Sequence, residues 1–285
     1  MASRKSGGRE LEGVGADSRI TAVGFGDCKR ELLDRAKGRA LEEYRRWRRQ
    51  PGYGEVVDFV ETFEHKYLFE TTMSEISAVK RRSEHALGDV EKEEQLPEVE
   101  NFTCPFAFQH LFPFYIEEKR SLPTWQEFST WLQGPVTELY TDHLLNRTGW
   151  HEADKKRRLR LKRAYRWRLG IAYYSALREV ELLTRWRDEY SLPVRYHLLA
   201  DVLLRVDFWL GDALVCTYFP NKKYRSGTRG RKLQAARLFS AAEPPFKILD
   251  IEVPRQGRGN LWSLNKEAVQ RSAQYLRDAQ ARSDT

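Results

Sequence analysis

The sequence predicts an α+β fold, with an N-terminal helical domain over residues 21–150 followed by a mixed α/β domain over residues 151–285. Three observations carry this reading. From Cys28 onward, apolar residues recur at three- and four-residue spacing, the mark of helices buried on one side. In Asp201–Leu210 they alternate instead, placing Val202, Leu204, Val206, Phe208 and Leu210 on one face of an expected strand, and Asp201, Arg205 and Asp207 on the other. Gly211-Asp212 then reads as a two-residue turn that folds Ala213–Phe219 back alongside, closing a hairpin.

Taken in order, residues 1–20 are rich in Gly, Ser and Arg with little to bury, and read as a mobile arm. A helix is expected over Cys28–Arg49, ended by Pro51-Gly52, then further helices over Glu55–Phe69 and Met73–Leu87. Acidic Asp89–Glu100 reads as a loop, and the aromatics of Phe102–Tyr115 as core filling. Thr124-Trp-Gln-Glu127 has the form of a capping box, and Pro135 opens another helix. A long helix is expected from Asp154 to Tyr190, broken or bent near Gly170. After the hairpin come a helix over Arg231–Phe239, a buried strand over Phe246–Val253 and a terminal helix over Asn265–Arg282.

Charge is distributed unevenly. Residues 21–150 hold 17 basic and 23 acidic groups, a net −6, whereas residues 151–285 hold 28 and 15, a net +13. That asymmetry points to a polyanion-binding surface in the second half. One part of it is the first half of the long helix, which carries Lys155, Lys156, Arg157, Arg158, Arg160, Lys162, Arg163, Arg166 and Arg168 with no acid among them. Nine cations in fourteen residues repel one another unless an anion lies nearby, either nucleic-acid phosphate or the acidic region of the same chain. The other part is the loop Asn221–Lys232, with Lys222, Lys223, Arg225, Arg229, Arg231 and Lys232.

Composition narrows the class. No apolar run approaches the roughly 18 residues of a membrane span, and the N-terminus lacks the apolar stretch of a secretory signal, so a cytoplasmic protein without membrane contact is expected. Cys28, Cys104 and Cys216 lie too far apart for a zinc knuckle and read as small buried side chains. The six histidines show no metal-ligand spacing, and His197 reads as a core residue. Neither a P-loop nor a dinucleotide fingerprint is present.

If Leu210 faces Ala213, Asp207 sits opposite Cys216, Arg205 opposite Tyr218 and Asp201 opposite Lys222, with Glu179 of the long helix approaching the same face. Magnesium needs only one or two carboxylates besides water and substrate phosphate, so Asp207 with Asp201 or Glu179 is a sufficient Mg2+ ligand set. Such a metal polarises a phosphodiester and lowers the pKa of bound water, while Lys222 stabilises developing charge. Asp250 and Glu252 on the later strand are reserve ligands. Asp207 equally fits a carboxylate paired with Arg205 or Arg225.

Over residues 170–255 this arrangement resembles the PD-(D/E)XK restriction-endonuclease-like nucleases: a helix bearing Glu179 or Glu181, the Val206-Asp207-Phe208 strand of a hairpin, then a helix and a further strand. The resemblance implies a restriction-endonuclease-like domain in which Asp207 binds the metal. It also implies an acid-x-lysine tripeptide on the second strand, where this chain has Cys216-Thr217-Tyr218. Either the lysine has migrated to Lys222, Lys223 or Lys232, or the domain is catalytically silent. The leading expectation is a magnesium-dependent DNA endonuclease of bacterial antiviral defence or mobile-element biology, with catalytic Asp207, Glu179 and Lys222 and with residues 21–150 as a specificity or protein-partner domain. The alternative is a non-catalytic nucleic-acid-binding subunit of a larger complex. A third reading is an interaction protein whose basic helix docks on an acidic surface.

Overall fold

In the computed structural model, the described residues are 20–82, 96–100, 110–134, 138–218, 231–253, 257–258, 261–262 and 264–281. The chain is a mixed α/β protein, mainly helical, with three small sheets among the described residues.

The N-terminal region follows the helical pattern but is more finely cut. Strand β1 (Val23–Gly24) leads into α1 (Phe25–Cys28), which continues as a π-helical turn over Lys29–Leu33. Helix α2 (Arg39–Arg48) starts after Gly38, whose φ of 87° is open to glycine and breaks the single helix expected over Cys28–Arg49. Next come α3 (Gly54–Thr62), β2 (Glu64–His65), which pairs with β1, α4 (Tyr67–Glu70) and α5 (Met73–Arg81). The expected acidic loop contains a short helix, α6 (Pro97–Glu100). Helices α7 (Leu111–Lys119), α8 (Trp125–Trp131) and α9 (Glu138–Arg147) complete this half. The Thr124 capping box forms as expected, Thr124 Oγ1 accepting from the Glu127 N–H and Glu127 accepting from the Thr124 N–H.

Helix α10 (Lys155–Tyr190) runs for 36 residues. It is continuous through Gly170, which is buried. Asp154 caps its start, accepting the Arg157 N–H at 2.7 Å. After it, α11 (Leu198–Val202) occupies the first half of the segment expected to be strand. His197 caps α11 through Nδ1, and Arg205 then takes φ 63°, so the extended stretch is only β3 (Phe208–Leu210). Strand β4 (Ala213–Tyr218), α12 (Arg231–Leu238), β5 (Lys247–Glu252), the small hairpin of β6 (Gly257–Arg258) and β7 (Leu261–Trp262), and α13 (Lys266–Ala281) follow.

The central sheet has the order β3-β4-β5, β3 antiparallel to β4 and β4 parallel to β5 across the α12 connection. Leu210 faces Ala213 in the hairpin, the expected register, with Gly211 at φ 53° in the turn. Arg195 adds an antiparallel bridge to Trp209 at the outer side of β3. Trp186 of α10 packs edge-on to Phe208 and donates to Ser272 of α13 at 3.0 Å, tying sheet, long helix and last helix together. The apolar core continues from these residues into the first half through Tyr173, Phe112 and Phe128. Polar links run the same way: Arg35 pairs with Asp212 at 2.7 Å, and Trp209 donates to Glu31 at 2.8 Å. Cys28 and Cys216 are buried thiols. Among the described residues no helix is long and apolar enough to cross a membrane.

Candidate nucleic-acid interface and the Asp207 site

Asp207 stands one residue before β3, and its side chain completes the hairpin ladder. Its N–H donates to the Val215 carbonyl at 2.9 Å, while its Oδ2 accepts the Thr217 N–H at 2.6 Å and the Thr217 hydroxyl at 2.7 Å. A carboxylate thus satisfies a strand donor that would otherwise need a backbone carbonyl. The residue is fully buried. Burial pushes its pKa up to about 6, opposed by the two Thr217 bonds and by the positive charge of Arg178.

Arg178 comes from the buried face of α10. Its Nη2 donates to Ser175 Oγ at 2.8 Å, and Ser175 donates to Glu179 Oε1 at 3.3 Å, so the buried Arg178 and Glu179 share one hydroxyl. Among the described residues the cation acting on Asp207 is Arg178 rather than Arg205, which sits at its positive φ with its carbonyl receiving the Cys216 thiol at 3.2 Å; the other expected partner, Arg225, lies outside the described residues. Replacing Thr217 by Val is expected to cost about 1–2 kcal/mol in urea unfolding at pH 8. The loss should shrink at pH 4, where a protonated Asp207 no longer depends on the hydroxyl to hold its charge.

Of the expected ligand set, the structure places Asp201 elsewhere. Asp201 lies in α11, not on a strand opposite Lys222, and its buried Oδ2 is 3.5 Å from His110 Nε2. The period-two pattern that placed it beside Asp207 is interrupted by the α11 turn and by Arg205. Glu181 is taken by Lys80. Asp250 is half-buried opposite Cys216, and Glu252 is exposed, accepting from Tyr218 Oη at 3.2 Å. Among the described residues no group of three or more His, Cys, Asp and Glu side chains is placed to hold a metal ion. Lys222, Lys223, Arg225 and Arg229 lie outside the described residues. Arg231 and Lys232 open α12, but their side chains are not among those described.

A second buried polar cluster was not legible in sequence. His65 of β2, His110 just before α7, and His197 and Asp201 at α11 converge from three separated segments. His65 Nε2 accepts the Leu198 N–H at 3.2 Å, and its ring lies edge-on to His197 at 5.3 Å. His197 accepts the Leu199 N–H through Nδ1, and its Nε2–H lies 3.3 Å from the Phe63 carbonyl. Burial holds His65 well below the usual imidazole range, and its histidine neighbours add to this. His197 is brought down to about 4, again chiefly by burial. The tautomers these bonds require, a proton on one nitrogen and a lone pair on the other, make both rings neutral structural pieces.

The expected basic face is exposed. Lys155, Lys156, Arg158, Arg160, Lys162, Arg163 and Arg166 all lie at the surface of the first half of α10. The buried side of this stretch, Leu161 and Ala164, packs on Leu96 and Val99. Arg157 is half-buried and pairs with Glu98 of α6, and Arg158 donates to the His151 carbonyl at 2.8 Å. Among the described residues, docking on the chain's own acidic region engages Arg157 through Glu98. Trp167 on the same helix is half-buried, and Trp186 is fully buried against the sheet. No protein-family model, curated protein or solved structure matches the chain.

Proposed function

We propose that the protein binds nucleic acid, DNA favoured, through the first half of α10, on a frame related to the PD-(D/E)XK nucleases and without phosphodiester hydrolysis at Asp207. The observation that carries it is the exposed cation face of α10. Those side chains crowd one another at the N-terminal end of a helix, where the helix dipole is already positive. Asp154 and Glu98 offset part of that unfavourable field. A polyphosphate would relieve the rest, releasing counterions as it binds.

The Asp207 geometry supports the non-catalytic branch. Its carboxylate is closed off from solvent, occupied by Thr217, and compensated by a fixed guanidinium, whereas a catalytic metal ligand must face water and a phosphate. The acid-x-lysine position is filled by Cys216-Thr217-Tyr218, and Thr217 is spent on Asp207. A partner enzyme would then supply any chemistry.

The order of elements favours a second reading, a magnesium-dependent endonuclease. Helix α10 with Glu179, the hairpin β3-β4 preceded by Asp207, helix α12 and parallel strand β5 follow the family's sequence of parts. One experiment separates the two. Supercoiled plasmid is incubated with the protein and Mg2+, alongside Asp207→Ala and an EDTA control. The proposal expects salt-dependent retention of the plasmid in a gel, unchanged by EDTA, and no nicking by either protein. Nicking by the parent that Asp207→Ala abolishes would establish the endonuclease instead.

A further inference from the structure

The exposed side chains of α10 cover far more than a strip. With about 100° of turn per residue, they span a sector of about 200°, and Leu159 lies at its middle. Lys155, Arg163 and Arg166 fall closest to Leu159 around the axis. Arg158 and Lys162 form one flank of the sector, and Lys156 and Arg160 the other. Leu161 and Ala164 occupy the opposite, buried side.

Leu159 is 52% exposed, an apolar side chain set in the centre of a cationic surface. Against a phosphate backbone it would contribute nothing. A helix resting on one strand would also engage a narrow line of cations and leave both flanks in water. A helix lying in a groove meets a floor and two walls, and that is the pattern here: an apolar residue in the middle and cations on both sides.

Resting on the nucleic-acid reading above, we propose that the first three turns of α10 enter the major groove of B-form duplex DNA, with Leu159 facing the base edges and the two flanks holding the phosphates of opposite walls. The dimensions agree. A helix with its side chains is about 10–12 Å across, and the groove is about 12 Å wide and 8.5 Å deep. Lys155 to Arg166 spans about 17 Å of helix, which passes several phosphates at about 3.4 Å each along a strand. On the groove floor the thymine methyl offers an apolar partner for a leucine. Duplex RNA, whose major groove is deep and narrow, does not admit a helix this way.

Fluorescence anisotropy of the intact protein with labelled 20-base-pair duplex DNA, the same sequence as duplex RNA, and single-stranded DNA tests this. Duplex DNA is expected to bind at least tenfold tighter than duplex RNA. Saturating the DNA with the major-groove ligand methyl green should raise Kd at least tenfold, and the minor-groove ligand netropsin less than twofold. Leu159→Asp should weaken binding at least tenfold. Ile171→Asp, an equal charge change at another exposed apolar position of α10 about 18 Å further along, should stay within twofold. Equal affinity for duplex RNA, or competition by netropsin and not methyl green, overturns the major-groove placement and leaves nucleic-acid binding standing. Absence of binding to all three probes at low salt overturns both.

Discussion

Replacing Lys156, Arg160 and Lys162 together with alanine is expected to weaken binding to duplex DNA about a hundredfold at 0.15 M salt. The estimate follows from counterion release: each neutralised phosphate multiplies the binding constant by roughly the salt concentration to the power −0.9, a factor of about 5 at 0.15 M. Three such contacts give about two orders of magnitude. The slope of log Kd against log salt should fall by about 2.7 at the same time. All three side chains are exposed, and α10 is anchored by Leu161 and Ala164 on its other side, so the fold should survive. Removing like charges beside the positive end of the helix dipole should hold or raise the melting temperature. Titrations at four salt concentrations, with thermal melts by circular dichroism, check both halves. A hundredfold loss with an unchanged salt slope would mean that the cations act through structure and not through phosphate.

Acidification from pH 7 to 5 is expected to destabilise the protein through its buried histidines. His65 and His197 have folded pKa values depressed below the unfolded value of about 6.5, His197 to about 4. Their contribution is therefore present above pH 6.5 and is lost as the pH falls, because the unfolded chain takes up protons that the folded chain refuses. For His197 alone the loss amounts to about 3 kcal/mol once the pH reaches its folded pKa. Asp207 works against this. Its folded pKa is raised to about 6, so its stability contribution is present at low pH and is lost as the pH rises through that value. Glu117, which is raised by burial although it accepts the N–H groups of Lys66, Tyr67 and Leu68, acts in the same sense as Asp207.

Variants separate these opposing contributions. His65→Gln keeps an acceptor for the Leu198 N–H and removes one titrating ring. Its unfolding free energy should change with pH less steeply than the parent's between pH 6 and 5. Asp207→Asn should steepen the same limb, since it removes a group that gains stability on acidification. Urea unfolding across pH 5–8 measures both, and parallel curves for parent and His65→Gln would show that His65 titrates normally in the folded chain.

Much of the local architecture was readable from side-chain pattern alone, because its causes are local. The Thr124 box, the Gly211-Asp212 turn with Leu210 facing Ala213, and the amphipathic run of α10 each depend on residues within a few positions of one another. Exposure of the basic face follows from the same kind of cause, since so many cations cannot be buried together. The failures lie where two local readings compete. Val202, Leu204 and Val206 alternate like a strand, yet Leu198–Val202 is a helical turn started by His197 and followed by a left-handed Arg205.

What only tertiary structure decided is how the buried polar groups are partnered. Asp207 meets Thr217 across the hairpin, as near-opposite neighbours, but the positive charge of Arg178 acts on it from another layer. Asp201 meets His110 from the far half of the chain, and His65 meets His197 across more than a hundred residues. Composition and periodicity establish which residues leave water, since hydrophobicity belongs to each side chain. They do not establish which charges and rings are brought within a few ångströms, because that depends on how distant helices and strands stack. The proposed function divides along the same line: electrostatic attraction for a polyanion is written in the sequence of α10, and the sealing of Asp207 away from any phosphate comes from packing.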